Sequence, residues 1–507
     1  MGKTGASDGS RVDGTRTLLL VVPPQRGLLE GFSTGLIAIG NFIRQHDKAV
    51  HVRLLDFGLL TEKQMGDQAS AALLAAEGRV FVGITGTTAS YQSMLTTARV
   101  FKALDPSCVV VLGGHHVSPQ DDIVLNHHHQ IVDFIVRGEG EIALAALLRH
   151  YPHVDDVPNL SFVTQGKLQR NVDGPLLAQS DLDDLSPVFD DDGLQSPAGK
   201  FDRATYVSAR GCPLSCAFCV VRTTAIRTKS IEGVIRDLRH MVGSRRYTKL
   251  AIEDNFFAHQ PKRTLALCRA IETFRNEMPF DWDCQTRVES MRRPDVVHAM
   301  VRAGCVASYL GVESLVPKHL LYLGKTPRPD KYLEELSETL VPLMLEAGMD
   351  FYLNLQLGLL AETPEGGKQT IRTLRNLGAL ARAHSRSITI FPQLNVIYPG
   401  TPHFEAAVLK GYFGDLGRGV FEEFTAWEAQ EEPVLHYLGE HFAHGVGGIP
   451  LGILDRPRLM AGRFAICPDG LLTVSTQLRR MEEVPGIQVF RYGRYVTSAR
   501  TLAHADA

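Results

Sequence analysis

The chain has little excess charge of either sign. Its 507 residues carry 53 lysines and arginines against 56 aspartates and glutamates, a formal net charge of −3. The basic residues form no stripe, so nothing in the composition argues for a nucleic-acid partner. Long apolar runs are also missing, and none approaches the ~20 residues that span a bilayer. The start, Met1 to Arg16, is polar and glycine-rich rather than signal-like. A cytoplasmic protein with no membrane partner is expected. Cysteine is sparse, and Cys108, Cys268, Cys284, Cys305 and Cys467 are scattered without pairing logic, as in a reducing compartment. Each reads as a buried, inert thiol. At roughly 100–200 residues per domain, the length predicts two to four domains.

Against that scatter, the other three cysteines are concentrated in Ala209-Arg210-Gly211-Cys212-Pro213-Leu214-Ser215-Cys216-Ala217-Phe218-Cys219, directly after a strand-like run, Ala204 to Ser208. Thiolates at this CxxxCxxC spacing can converge on one side of a loop and ligate three irons of a cubic iron–sulfur cluster, because soft sulfur suits iron. The fourth iron is then left without a protein ligand, which implies that a small molecule binds there and reacts. The alternatives are a zinc site or buried free thiols. Zinc usually takes four ligands in spaced pairs, and no second pair stands nearby.

Strand and helix alternate from Phe201 onward. Lys249–Ile252, Asp281–Thr286, Ala307–Val312, Asp350–Leu357 and Ser387–Ile397 read as strands, which with the one before Cys212 make about six βα units. Each strand ends on polar residues: Glu253 and Asp254, Gln285 and Arg287, Glu313 and Ser314, Gln356, and Gln393 with Asn395. The cysteine spacing, the aromatic Phe218 before the last cysteine and these strand ends resemble the radical S-adenosylmethionine (SAM) superfamily over about residues 201 to 403. The resemblance implies a partial (β/α)6 barrel with a 4Fe-4S cluster on Cys212, Cys216 and Cys219. It implies Phe218 beside the adenine, acidic groups at Glu253 and Asp254 for the SAM ammonium, and Arg287, Glu313, Ser314 and Gln356 among the SAM contacts. The Gly358-Leu359 and Glu362-Thr363 segment is similar to the family's GLPGET loop with Leu360-Ala361 in place of Pro-Gly, and Tyr398 to Pro402 is similar to its YPGTP turn. Read without the resemblance, Arg287 and Glu313 fit a structural ion pair closing the barrel as well as they fit a SAM site.

Ahead of the barrel, Thr17–Val22, Val50–Leu55, Val80–Thr85, Val109–Leu112 and Phe134–Val136 read as strands of a doubly wound parallel sheet, with helices over Leu36–Arg44 and Ser90–Leu104 between them. Ligands of such sheets bind at the carboxyl ends of the strands. Those ends carry Gly86-Thr87-Thr88-Ala89-Ser90, Gly113-Gly114-His115-His116 and Arg137-Gly138-Glu139-Gly140. Placed before a CxxxCxxC loop, the series is similar to the Rossmann-like cobalamin-binding domain fused to one branch of radical SAM enzymes. The resemblance implies corrin and nucleotide-tail contacts at Thr85, Thr87, Thr88, Ser90, Gly113, Gly114, His115, Gly138, Glu139 and Gly140. No DxHxxG motif is present, so neither His115 nor His116 is assigned to cobalt. The triplet His127-His128-His129 reads as a solvated turn.

The expected organisation is a tail at 1–16, a cobalamin-binding domain at 17–160, a linker at 161–200, a radical SAM barrel at 201–403 and a small α+β module at 404–507 that caps the site. In that last part Trp427, Tyr437 and His441 read as core residues or as substrate-facing ones. The resemblance implies a methyltransferase that cleaves SAM to a deoxyadenosyl radical. It would move a methyl group from methylcobalamin to an unactivated carbon, or phosphorus, of a small molecule or peptide in specialised metabolism. A flavodoxin or ferredoxin would supply the electron. A cyclase or rearrangement enzyme with the same cofactors, and a non-catalytic cobalamin or redox sensor, stand as alternatives.

Overall fold

The computed structural model describes residues 14–24, 33–58, 60–189, 203–244, 247–359, 361–395, 397–411, 417–419, 422 and 476–490. The chain divides into two compact units, the first built mainly on residues 35–176 and the second on most of the chain from 195 onward.

The first unit is organised on β1 (Arg16–Val22), whose Leu18, Leu19, Leu20 and Val21 are at most 1% exposed. A strand apolar on both faces has to lie inside a sheet covered on both sides. It is flanked by β2 (Val50–Asp56) and β3 (Arg79–Thr85), and the sheet continues through β4 (Val109–Gly113) and β5 (Phe134–Val136), all parallel. The order β2-β1-β3-β4-β5 reverses direction between β1 and β3, which opens a crevice at the carboxyl ends there. Two further strands, β6 (Leu160–Thr164) and β7 (Lys167–Arg170), add an antiparallel hairpin to β5. This corrects the expected linker at 161–200, since its first part belongs to the sheet. The hairpin is anchored by Asp121, 1% exposed, whose carboxylate accepts from Arg170 and from Ser161. These partners are far apart in sequence, and no local pattern announces them.

The second unit contains a parallel sheet of β8 (Arg203–Tyr206), β11 (Lys249–Ile252), β12 (Asp281–Thr286), β13 (Cys305–Glu313), β14 (Asp350–Leu357), β15 (Ile388–Leu394) and β16 (Ile487–Val489), in that spatial order. The intervening β9 (Ala209–Arg210) and β10 (Arg227–Thr228) form a separate two-stranded ribbon. No pairing joins β16 to β8 among the described residues, so the barrel is open. Six of the seven strands are the expected ones. The seventh is a departure, because 487–489 joins the barrel sheet beside β15 instead of standing in a separate module. Trp427, Tyr437, His441 and Cys467 lie outside the described residues.

Alternation along the strands separates two faces. Leu310, Val312, Leu353, Leu355, Ile388 and Ile390 enter one core with helix residues such as Leu267, Ile271 and Phe274. The intervening Tyr309, Tyr352 and Phe391 meet on the opposite face, the two tyrosine rings stacked at 4.6 Å. Trp282 is the largest fully buried side chain among the described residues and donates from its indole nitrogen to the Ala303 carbonyl at 2.7 Å.

Candidate functional site

The cysteine loop leaves the sheet after β8 and is tied down from several sides. Thr224 brackets Cys212, its hydroxyl accepting from the Cys212 amide at 2.8 Å and its amide donating to the Cys212 carbonyl at 2.8 Å. Ala217 donates to the Leu323 carbonyl at 2.9 Å and accepts from the His403 amide at 3.2 Å. Gly211 adopts φ +91°, and a Cβ there would collide with the Ala225 carbonyl, so this turn requires glycine. Cys212 and Cys216 are buried and Cys219 is partly exposed.

Under the loop lies Asp254, 1% exposed. Its two oxygens accept from the Ser208 amide at 2.6 Å, the Ser208 hydroxyl at 2.6 Å and the Ala209 amide at 2.8 Å. Burial raises this carboxyl's pKa, and the three donors oppose the rise. The sequence placed Asp254 with Glu253 as a SAM contact. The structure instead commits both Asp254 oxygens to the backbone just before the cysteines and leaves Glu253 exposed at the end of β11.

Burial also raises Cys219, and the negative neighbours Cys216, Cys212 and Glu313 add to the rise against one amide bond from Val221. The other two thiols are therefore electrostatic neighbours that oppose the ionisation of Cys219. A cationic centre removes that opposition and holds coordinating thiols deprotonated. Among the described residues, no group of three or more His, Cys, Asp or Glu converges tightly enough for a single metal ion, which is the arrangement a zinc tetrahedron needs. On a cube each thiolate goes to its own iron, so the thiolates need not converge on one point.

Beside the thiols, Arg287 and Glu313 do not form the alternative ion pair with each other but take separate partners. Arg287 bonds Glu289 at 3.1 Å, the Lys325 carbonyl at 2.9 Å and the Cys216 sulfur at 3.4 Å. Glu313 takes Lys325 Nζ at 2.9 Å on one oxygen and Gln356 Nε2 at 2.9 Å on the other. Lys325, only 6% exposed, arrives on the turn after the helix Pro317–Tyr322. It was missed because nothing in its local sequence marks it. Glu313 sits at φ +70°, where the β13–β14 register shifts, a strained position for a residue with a side chain. Ser314 bonds His319 Nδ1 at 3.2 Å. Glu362 accepts from the Gly358 amide at 2.8 Å and from Gln477, so residue 477 reaches the strand-end loops. Asn395 is buried at the end of β15 with neither side-chain amide atom bonded.

In the first unit the three strand-end loops are laced together. Gly114, at φ +106°, lies so close to Gly86 that a Cβ would meet the Gly86 carbonyl at 2.6 Å. Thr85 donates to the Gly113 carbonyl at 3.4 Å, and the Thr87 amide donates to Ser90 at 3.0 Å. Ser118 accepts from the Gly138 amide at 3.2 Å, and Gly140 precedes the helix Glu141–His150, which opens with an acidic residue. His115 and Thr87 are exposed, and Glu139 is partly so. His116 is buried, bonded through Nδ1 to Thr88 at 3.1 Å and lying 4.2 Å from the Tyr91 ring. The His127–His129 triplet is not a free turn. It ends the helix Asp121–His128, with His127 and His129 bonding carbonyls four residues back. Buried Cys108 and Cys268 have pKa values pushed up to about 11 and about 12, consistent with inert thiols.

Two outcomes follow from these contacts. Asp254→Ala strips partners from two buried amides and should cost about 3 kcal/mol, read as a lower denaturation midpoint together with reduced iron uptake on reconstitution. Burial lowers the His116 pKa to about 3 from the usual 6.5, so the folded ring stays neutral while the unfolded one charges. Its contribution is complete above pH 6.5 and is lost progressively as pH falls toward 3. By pH 5 the loss is about 2 kcal/mol, and the stability of His116→Phe should be correspondingly less pH-dependent between pH 7 and 5.

The chain is similar to several known proteins. The B12-binding domain family matches residues 29–148. An uncharacterised methyltransferase of Pyrococcus horikoshii is 26% identical over 77% of this chain and 83% of its own. An anaerobic magnesium-protoporphyrin IX monomethyl ester cyclase of Rubrivivax gelatinosus is 24% identical over 58% of this chain and 54% of its own. The radical S-adenosylmethionine methyltransferase TsrM of Kitasatospora setae, solved with cobalamin and a [4Fe-4S] cluster, shares the fold with a TM-score of 0.65. The identity there is 16%, covering 79% of this chain and 76% of that one. In sequence and in fold, then, the chain is similar to cobalamin-dependent radical SAM enzymes.

Proposed function

We propose that the protein is a methyltransferase that places a methyl group on an unactivated carbon of a small molecule or peptide. The observation that carries this reading is a loop with three thiols and no fourth, held beside a buried Glu313–Lys325–Gln356 network, in a chain that also matches a B12-binding domain. When bound, the cluster and cobalamin supply one-electron cleavage of SAM and methyl transfer.

The chain's own residues bind and orient. Cys212, Cys216 and Cys219 each hold one iron, and Phe218 lies beside the adenine. Glu253, exposed at the end of β11, offers a carboxylate to the SAM ammonium. Glu313, Ser314 and Gln356 meet the ribose and carboxylate end, where Lys325 adds a positive charge. In the first unit the close approach of Gly86 to Gly114 gives a smooth backbone for the corrin. Gly113, Gly138 and Gly140 with Thr85, Thr87, Thr88, Ser90, His115 and Glu139 line the loops around its tail. A flavodoxin or ferredoxin donates the electron.

A second reading, cyclisation without net methylation, is favoured by the similarity to the magnesium-protoporphyrin cyclase. Anaerobic incubation of the reduced protein with hydroxocobalamin and SAM carrying a deuterated methyl group separates the two. A methyltransferase gives S-adenosylhomocysteine with label on the corrin, together with deoxyadenosine that disappears in Cys212→Ala. Deoxyadenosine without labelled corrin supports the cyclase, and neither product contradicts both readings.

A further inference from the structure

Arg287 lies at the carboxyl end of β12 and is 8% exposed. Its guanidinium is fixed on three sides. Nε and Nη2 grip the Glu289 carboxylate at 3.3 and 3.1 Å, and Nη2 also donates to the Lys325 carbonyl at 2.9 Å. Those bonds aim Nη1 at the Cys216 sulfur, 3.4 Å away. The planar fork of arginine makes this direction a consequence of the other contacts. Glu289 is its counter-ion, but the two charges are not equally placed. The carboxylate side chain is 35% exposed and the guanidinium side chain 10%, so water screens the negative member more than the positive one.

We propose that Arg287 tunes the reduction potential of the cluster through an N–H···S hydrogen bond and a net positive charge at Cys216. Reduction adds one negative charge to the cluster, which spreads over its sulfur ligands. A donor and a positive charge at one of them stabilise the reduced state more than the oxidised state, as hydrogen bonds to cluster sulfurs do generally. Glu289 opposes this effect and sets how much of it the cluster experiences. The two residues thus act on electron uptake with opposite sign, although both lie in the same hydrogen-bonded group. This inference rests on the reading that Cys212, Cys216 and Cys219 hold a [4Fe-4S] cluster.

The test is a reductive titration of the anaerobically reconstituted full chain, without SAM, following the cluster's EPR signal. The wild type is compared with Arg287→Gln, Arg287→Lys and Glu289→Gln. Losing a charged donor to a charged acceptor should lower the reduction constant of Arg287→Gln about tenfold, which is ~59 mV more negative for one electron. Arg287→Lys keeps the charge without the fork and should recover part of the shift. Glu289→Gln leaves the guanidinium in place and should move the potential upward. A purely structural role does not produce shifts of opposite sign, and the Glu289→Gln arm reads the charge even where Arg287→Gln takes up less iron. Full iron occupancy with equal potentials in the wild type and Glu289→Gln overturns the proposal alone. A wild type that takes up no cluster overturns the underlying reading and the proposal with it.

Discussion

The second unit depends on one buried carboxylate. Asp254, on the turn after β11, collects the Ser208 and Ala209 amides and the Ser208 hydroxyl. It thereby fixes the direction in which the chain leaves β8 for the cysteine loop. A carboxyl so deeply buried is tolerated only with its oxygens satisfied, and here every named partner belongs to the segment it positions. Thr224 and the short β9–β10 ribbon then close the loop from its far side. Backbone geometry thus fixes the loop that carries the thiols, which is how a site limits the entropic cost of assembling its ligands.

The same economy operates around Glu313. A residue at positive φ where two strands change register is costly, and the Lys325 and Gln356 contacts hold it there. Opposite charges are thus stored side by side at a strand end, with Arg287 and Glu289 as a second such pair just past the end of the neighbouring strand. Both pairs meet at Lys325, whose side chain serves Glu313 and whose carbonyl serves Arg287. In the first unit the comparable constraint is steric. Gly114 against Gly86 brings two loops into backbone contact, while His116 is tucked beneath Thr88 and Tyr91, so the loops present backbone and hydroxyls rather than that imidazole.

Much of the fold was legible because continuous apolar runs such as Leu18–Val22 and the alternation around Tyr352 and Leu353 are period signals that tertiary context rarely overrides. The cysteine spacing was equally plain. What escaped the sequence were partnerships across long separations. Asp254 reads as one more acidic strand end, and only its neighbours reveal that it serves Ser208 and Ala209. Lys325 has no motif, and its ammonium, reaching Glu313 from another loop, takes the place that the alternative Arg287–Glu313 pair would have filled. The hairpin at 160–170 was hidden by its charged outer strand, Lys167–Arg170, which alternates too briefly to signal an edge.

The central claim is that three thiolates hold a cube whose fourth iron is open to SAM. Low-temperature EPR of the reduced, reconstituted protein before and after SAM addition tests it most directly. The account predicts a [4Fe-4S]⁺ signal at about four irons per chain whose g values shift when SAM binds. A signal indifferent to SAM, or stoichiometric zinc in place of iron, would contradict it.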